Sequence, residues 1–390
     1  MKDTLLLLMT PNMSLQKWKA IGQLNREIDI YNSLIKAAGL KLLIFSYGRN
    51  DQHLVEDHPD IEVLTIPSWI PASLPFKLQN LIYETLAPWY YRDHFKRVIL
   101  AKTNQFAAGR FGLILKFLFS IPLVIRMGYY RSHFQPLSKI KSIREKVFFR
   151  FSDKLIVTSL AAKEFISETY HIPNNKILCM CNSIDQSIFK PQPTEKEYDV
   201  IFVGRLEKLK NINLLLKTID QASLKALIIG RGALVKDVID STLNNDQITW
   251  LECVNNTELP AYYNKARAFL ILSDYEGCPK SLLEAMACGI PCIGTNVPGI
   301  RECMDGERNG LLVEKNADDI QKKLLLIKND ALLAKKLTDN AVSWVSNNCE
   351  LDTNIRKEFE LFKDAINAKY INTPFSRPVS SSNTTVSTKF

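Results

Sequence analysis

The feature that most constrains this chain is an alternation, met twice, of short apolar runs with longer amphipathic stretches. Short buried strands joined by helix-length segments call for parallel sheets with crossover helices. In the first half the pattern predicts strands at Thr4–Met9, Leu42–Tyr47, Ile61–Ile66, Val98–Ala101, Leu123–Arg126, Leu155–Thr158 and Lys176–Cys181. Helices are predicted at Trp18–Ala38, closed by Gly39, and at Gly112–Phe119 and Leu160–Tyr170. A polar, proline-rich stretch from Phe189 to Thr194 interrupts the pattern. It then resumes with strands at Asp199–Val203, Ala226–Ile229, Ile248–Leu251, Ala268–Leu272 and Pro291–Thr295. The intervening helices are Ile212–Gln221, Leu234–Leu243, Glu258–Lys265 and Ser281–Cys288, with Ala317–Lys328 and Ala331–Asn347 outside.

The reading is an α/β chain of two doubly wound domains, residues 1–190 and 198–348, joined by a linker at 191–197. Ligands of such sheets bind beyond the carboxyl ends of the strands, here in a cleft between the domains. Residues 349–371 keep helical periodicity after the second domain is complete and are expected to return to the first. Residues 372–390, rich in Ser, Thr and Asn, are expected to be disordered. The apolar start, Met1 to Met9, is too short for a secretion signal, and Lys116 and Pro122 break the run Phe111–Ile125. Eight cysteines between Cys179 and Cys349, without a C-x-x-C pair or a histidine set, read as reduced thiols rather than a zinc site or disulfide framework. A cytoplasmic protein is expected on these readings. Its net charge of +9 favours anionic partners.

One segment carries chemistry on its face: Ser273-Asp274-Tyr275-Glu276-Gly277-Cys278-Pro279-Lys280-Ser281-Leu282-Leu283-Glu284, continuing to Gly289. Pro279 suits the first turn of a helix and Gly289 its C-terminal cap. N–H groups freed at such a helix start, with the positive dipole end, suit a diphosphate. Gly277 lets backbone approach a ligand closely. Glu284, about one turn into the helix, can accept from paired ribose hydroxyls, and Glu276 from sugar hydroxyls. The same spacing also describes a plain strand-to-helix connection with two solvated glutamates.

This run resembles the E-x7-E motif of family 4 glycosyltransferases, and the resemblance continues through Thr295–Glu302 and Asn309–Val313. Val203–Asn211 is similar to a second signature of that family, with Asn211 in place of the usual glycine. The resemblance implies the GT-B fold, two Rossmann-like domains facing across a cleft. It also implies transfer of a sugar, with retained anomeric configuration, from a nucleotide-sugar substrate such as a UDP- or GDP-sugar. Arg205, Lys210 and Glu276 are then the catalytic set, the two cations neutralising the leaving diphosphate and Glu276 holding the sugar. Further donor contacts fall to Gly204, Gly230, Asn255, Gly277, Cys278, Pro279, Lys280, Ser281 and Leu282, with Glu284 on the ribose. Gly230-Arg231-Gly232 reads equally as a tight turn or a ligand loop. No Asp-x-Asp motif stands at a strand end, and two cations can replace a divalent ion, so no metal and no separate cofactor are expected.

The first half matches the family less closely. Gly22 stands where the family has a glycine-containing loop, and reads as a close-approach or a helix-interior glycine. Many family members carry a histidine after the strand corresponding to Leu123–Arg126, where this chain has Arg126-Met127-Gly128-Tyr129-Tyr130. Gly22, Asn104, Arg126 and Tyr129 are the acceptor-side candidates. The stretch Trp89 to Arg150 is basic and aromatic with few acids, which suits peripheral contact with an anionic membrane surface on its inner face. No recognised motif accompanies that charge, so no nucleic-acid partner is expected. The expected activity moves a sugar to a glycan or lipid-linked saccharide in cell-surface polysaccharide or glycoconjugate synthesis. A non-catalytic nucleotide-sugar-binding protein and a GT-B epimerase or phosphorylase are the alternatives.

Overall fold

Strand β1 (Thr4–Leu8) is buried at every position, which requires a sheet covered on both faces. The computed structural model describes residues 3–128 and 139–371. Tyr129, His133 and the tail 372–390 lie outside the described residues. β1 heads a seven-stranded sheet with β2 (Lys41–Phe45), β3 (Ile61–Leu64), β4 (Val98–Thr103), β5 (Leu123–Met127), β6 (Lys154–Val157) and β7 (Ile177–Cys179). Their order is β3-β2-β1-β4-β5-β6-β7, and every pairing is parallel. The second sheet holds β8 (Tyr198–Val203), β9 (Ala226–Ile229), β10 (Ile248–Leu251), β11 (Ala266–Ile271), β12 (Cys292–Thr295) and β13 (Leu311–Val313). Its order, β10-β9-β8-β11-β12-β13, is again wholly parallel.

Both sheets reverse their winding beside their first strand, between β1 and β4 and between β8 and β11. The connections leaving those strand ends diverge to opposite faces and open a crevice. Residues after Val203 and after Ile271 therefore meet in space although nearly 70 positions separate them: Asp274 N–H donates to the Leu209 carbonyl at 2.8 Å.

The predicted helix Trp18–Ala38 is two helices, Leu15–Ala20 and Leu24–Ala38. Gly22 lies between them at φ +69°, a left-handed conformation that ends the first helix. Gly39 caps the second at φ +67°, as its position suggested. The boundary between domains also differs from 191–197. Ile184 and Phe189 already pack in the core of the second domain, with Tyr263, Phe269 and Leu282. The crossing is nearer Ile184, whose N–H donates to the Cys349 carbonyl at 2.8 Å where the chain returns. The buried apolar rings and branched chains, rather than the prolines, decide where the domain begins. After the return, Leu351–Ile371 is a helix of the first domain: Ile355, Leu361, Phe362 and Ala365 join its core. Glu358 forms a buried ion pair with Lys102, and that ammonium lies 4.8 Å from the Tyr31 ring centroid. No helix among the described residues is long and apolar enough to cross a membrane.

Candidate active site

Lys210 and Glu276 are brought together as an ion pair, with 12% and 13% of their side chains exposed. Lys210 closes a short turn, Lys208–Lys210, that Asn211 ends in left-handed geometry at φ +51°. The Asn211 side chain then donates to the Leu272 carbonyl at 2.7 Å and to Asp274 at 2.8 Å, tying the loop after β8 to the loop after β11. Glycine would supply the backbone angle at 211, but not this bridge. Glu276 also accepts from the Ser273 hydroxyl at 2.7 Å. Arg205 does not join them. It is 68% exposed and pairs with Glu207 at 2.8 Å.

Pro279 precedes the helix Lys280–Ala287, and Glu284 stands on its second turn. Its carboxylate, only 4% exposed, accepts from Tyr263 Oη at 3.0 Å and lies 3.5 Å from Arg26 Nη1 and from Asn256 Nδ2. Burial, with Glu284 adding to it, holds the Tyr263 hydroxyl well above its ordinary range, so it stays a donor. Arg26 comes from the first domain, so the carboxylate is shared across the cleft. The neighbouring Lys280 ammonium pairs with Glu27 of the first domain at 2.7 Å. Burial pushes Lys280 down to about 8, and Arg26 adds to the effect against the pull of Glu27. For Glu27 burial works upward, but Lys280 and Arg26 more than reverse it and hold the carboxyl well below the usual range.

The remaining expected donor residues divide. Gly204, Arg205, Gly230, Lys280, Ser281 and Glu284 line one interdomain cavity of about 310 Å³, with Gly22, Arg26 and Asn256. A larger one, about 520 Å³, lies on the other side of Arg26 and Glu284, toward His53, Asp29 and Asp185. Leu282, expected among the donor contacts, has its side chain wholly buried in the hydrophobic core. Cys278 is likewise buried, and its carbonyl accepts from Asn182 Nδ2 at 2.5 Å. Asn255 is exposed, donates to Glu258 at 3.0 Å and lines the larger cavity, whereas Asn256 lies 3.5 Å from Glu284 and lines both. Gly277 was read as making room for a ligand. A Cβ there would stand 2.6 Å from the Gly128 carbonyl oxygen and 2.8 Å from Thr158 Oγ1, so the close neighbour is the first domain. At Gly230 (φ +155°) a Cβ would meet the Gly204 carbonyl, which makes its glycine a packing requirement between two loops.

Residues 183–344 match the family model described as glycosyl transferases group 1. They form a group 1 glycosyl transferase domain. The O-antigen biosynthesis glycosyltransferase WbnH of Escherichia coli is 34% identical over 197 residues, which is 50% of this chain and 56% of that protein. The chain spans 66% and 56% of the length of the first curated relatives it matches. Two solved structures share the architecture over nearly their whole length. Sucrose-phosphate synthase from Thermosynechococcus elongatus has a TM-score of 0.78 at 19% identity, covering 94% of this chain and 100% of that one. Anabaena HepE in complex with UDP has a TM-score of 0.71 at 17% identity, covering 93% and 99%. The fold is GT-B.

Within this transferase domain, sequence reasoning missed Tyr263; outside it, the roles of Arg26 and Glu27 were missed. Arg26 is the most informative, because its Nε is buried with no hydrogen-bond partner. Such an orphan donor is uncommon in a folded protein. On the acceptor side, Gly22 faces Cys253 and Val254 across the cleft, placing it on the side of the second domain's loops rather than deep in the first. Asn104 is half-buried at the end of β4, its N–H bonded to the Leu8 carbonyl at 2.8 Å. Arg126 donates to Asn182 Oδ1 at 2.7 Å and so braces the crossover. Glu302, in the helix Pro298–Cys303 that follows β12, accepts from the Leu160 and Ala161 N–H groups at 2.7 and 3.0 Å, capping a helix of the opposite domain. Among the described residues no group of His, Cys, Asp and Glu is placed to hold a metal ion.

Proposed function

We propose that the protein transfers a glycosyl unit, with retention, from a nucleoside diphosphate sugar to a hydroxyl of a glycan or lipid-linked saccharide. The observation that carries this reading is the pairing of Lys210 with Glu276 at two strand ends, with the buried Glu284 on the following helix. A UDP-sugar is the favoured donor, since HepE, which shares the fold, was solved with UDP. The nucleoside lies in the 310 Å³ cavity with its ribose hydroxyls on Glu284, and the orphan Arg26 Nε meets a donor oxygen. The diphosphate draws Lys210 from Glu276, which frees that carboxylate for sugar hydroxyls. As the bond from the anomeric carbon to the diphosphate breaks, Lys210 and the N–H groups at the start of Lys280–Ala287 stabilise the charge that develops. The acceptor oxygen forms the new glycosidic bond on the same face and passes its proton to the departing diphosphate oxygen. No metal takes part in this scheme. Polysaccharide assembly, as in the O-antigen relative, is the process it fits.

The test is a thermal-shift screen of UDP-, GDP- and ADP-sugars, followed by NMR of donor hydrolysis with and without chelator. The reading requires stabilisation by at least one donor and release first of the sugar anomer present in that donor, with chelator making no difference. Release of the opposite anomer removes retention, and chelator-sensitive turnover removes the metal-free scheme.

A further inference from the structure

The helix Lys139–Phe151 has an apolar face that stays exposed among the described residues. Its inward side is Glu145, Phe148 and Phe149, all buried, with Glu145 accepting from Tyr170 Oη at 2.9 Å. At about 100° per residue, Ile140, Ile143, Val147 and Phe151 form one stripe on the opposite side. All four are exposed, Ile140 by 81% and Ile143 by 63%. Exposed cations flank the stripe on both edges, Lys141 and Arg144 on one and Lys146 and Arg150 on the other. The helix has one acid, and it is the buried one. The adjoining helix Gly109–Phe119 extends the apolar area: Phe117, 64% exposed, packs edge-on against Phe151 at 5.7 Å between ring centroids, beside exposed Leu118. Other cations of the broader basic stretch are spent inside the fold, Lys102 on Glu358, Arg110 on Glu84 and Lys116 on Asp153.

We propose that this face, Ile140, Ile143, Val147, Phe151 and Phe117 with the four flanking cations, docks the protein onto the surface of an anionic bilayer. An apolar stripe bordered by cations buries its side chains at the level of the acyl boundary while its charges stay among anionic headgroups. A protein partner of ordinary composition would leave four like charges at the rim without counter-charges, whereas anionic lipid supplies them everywhere. The proposal deepens the reading of a transferase with a lipid-linked acceptor, but does not depend on it.

The test is co-sedimentation of the full chain with phosphatidylcholine vesicles, with and without phosphatidylglycerol. Binding is expected only when phosphatidylglycerol is present, and should weaken with salt. K141Q/R144Q should weaken it about thirtyfold, and I143Q/V147Q should weaken it at least tenfold. Both variants should keep the melting temperature and hydrolyse a soluble nucleotide-sugar like the wild type, which separates this test from the donor reading. Absence of vesicle binding, equal binding to neutral vesicles, or binding unchanged in both variants would overturn the proposal.

Discussion

Substituting Lys210 with methionine keeps the aliphatic stem and removes the charge. In the structure Glu276 has two partners, the Lys210 ammonium and the Ser273 hydroxyl at 2.7 Å. The variant leaves a largely buried carboxylate with one neutral donor, a loss of about 1–3 kcal/mol of stability. The larger effect is on turnover. A preorganised group aimed at charge that develops in the transition state is worth about 10²- to 10³-fold in kcat, roughly 3–4 kcal/mol. Because the donor diphosphate is already anionic in the ground state, some loss of affinity accompanies it, but kcat should fall further than KM rises. The assay is steady-state transfer or donor hydrolysis across a range of nucleotide-sugar concentrations. The double variant Lys210→Met/Glu276→Gln should regain much of the lost stability and none of the turnover, because it removes the unpaired charge without restoring the cation. An unchanged kcat in Lys210→Met, or a loss confined to KM, would refute the role given to Lys210.

Gly277→Ala places a Cβ 2.6 Å from the Gly128 carbonyl oxygen; the domains must part locally, lowering stability by about 1–3 kcal/mol in denaturant titration and reducing turnover. Glu302→Ala removes a cap on the helix Leu160–Tyr170 that crosses the domain boundary, and calorimetry should show about 1 kcal/mol lost. Lys280 has a folded pKa of about 8 against a usual 10.5, so above pH 8 the unfolded chain holds the proton more tightly. Stability should therefore rise from pH 8 toward 10.5 relative to Lys280→Met, and thermal melts of the two proteins across that range check the sign. Glu27 works in the acid range: its lowered pKa gives a contribution present above about pH 4.5 and lost as the pH falls, which Glu27→Gln should abolish.

The sheets were legible because buried parallel strands are written as continuous apolar runs, and Gly39 and Gly289 mark helix ends with φ near +67° and +66°. Gly22 was harder to place, since the amphipathic pattern runs unbroken on both sides of it and only the left-handed backbone divides the helix. The domain boundary misled because prolines advertise a linker, while the burial of Ile184 and Phe189 depends on partners far along the chain. Within the site, Glu276, Lys210 and Glu284 belong to short local signatures and could be picked out. Arg26 with Glu284, Glu27 with Lys280, Asn182 with Cys278 and Glu302 with Leu160 join segments more than 90 residues apart, and nothing in either segment names the other. Arg205 is the opposite case: its partner Glu207 is two residues away, and an Arg-x-Glu run at a strand end was a visible warning that the guanidinium had a local alternative.

The most direct test of the central claim is calorimetric titration of the chain with UDP and with UDP-sugars, in the wild type and in Glu284→Ala. Glu284 is 4% exposed and already held by Tyr263 and Arg26, so a ribose that binds it finds a preorganised acceptor. The account predicts binding by the wild type and at least about tenfold weaker binding by the variant, the loss of one charge-assisted hydrogen bond or more. Wild-type protein that binds no nucleotide-sugar, or a folded Glu284→Ala variant that binds as tightly, would contradict it.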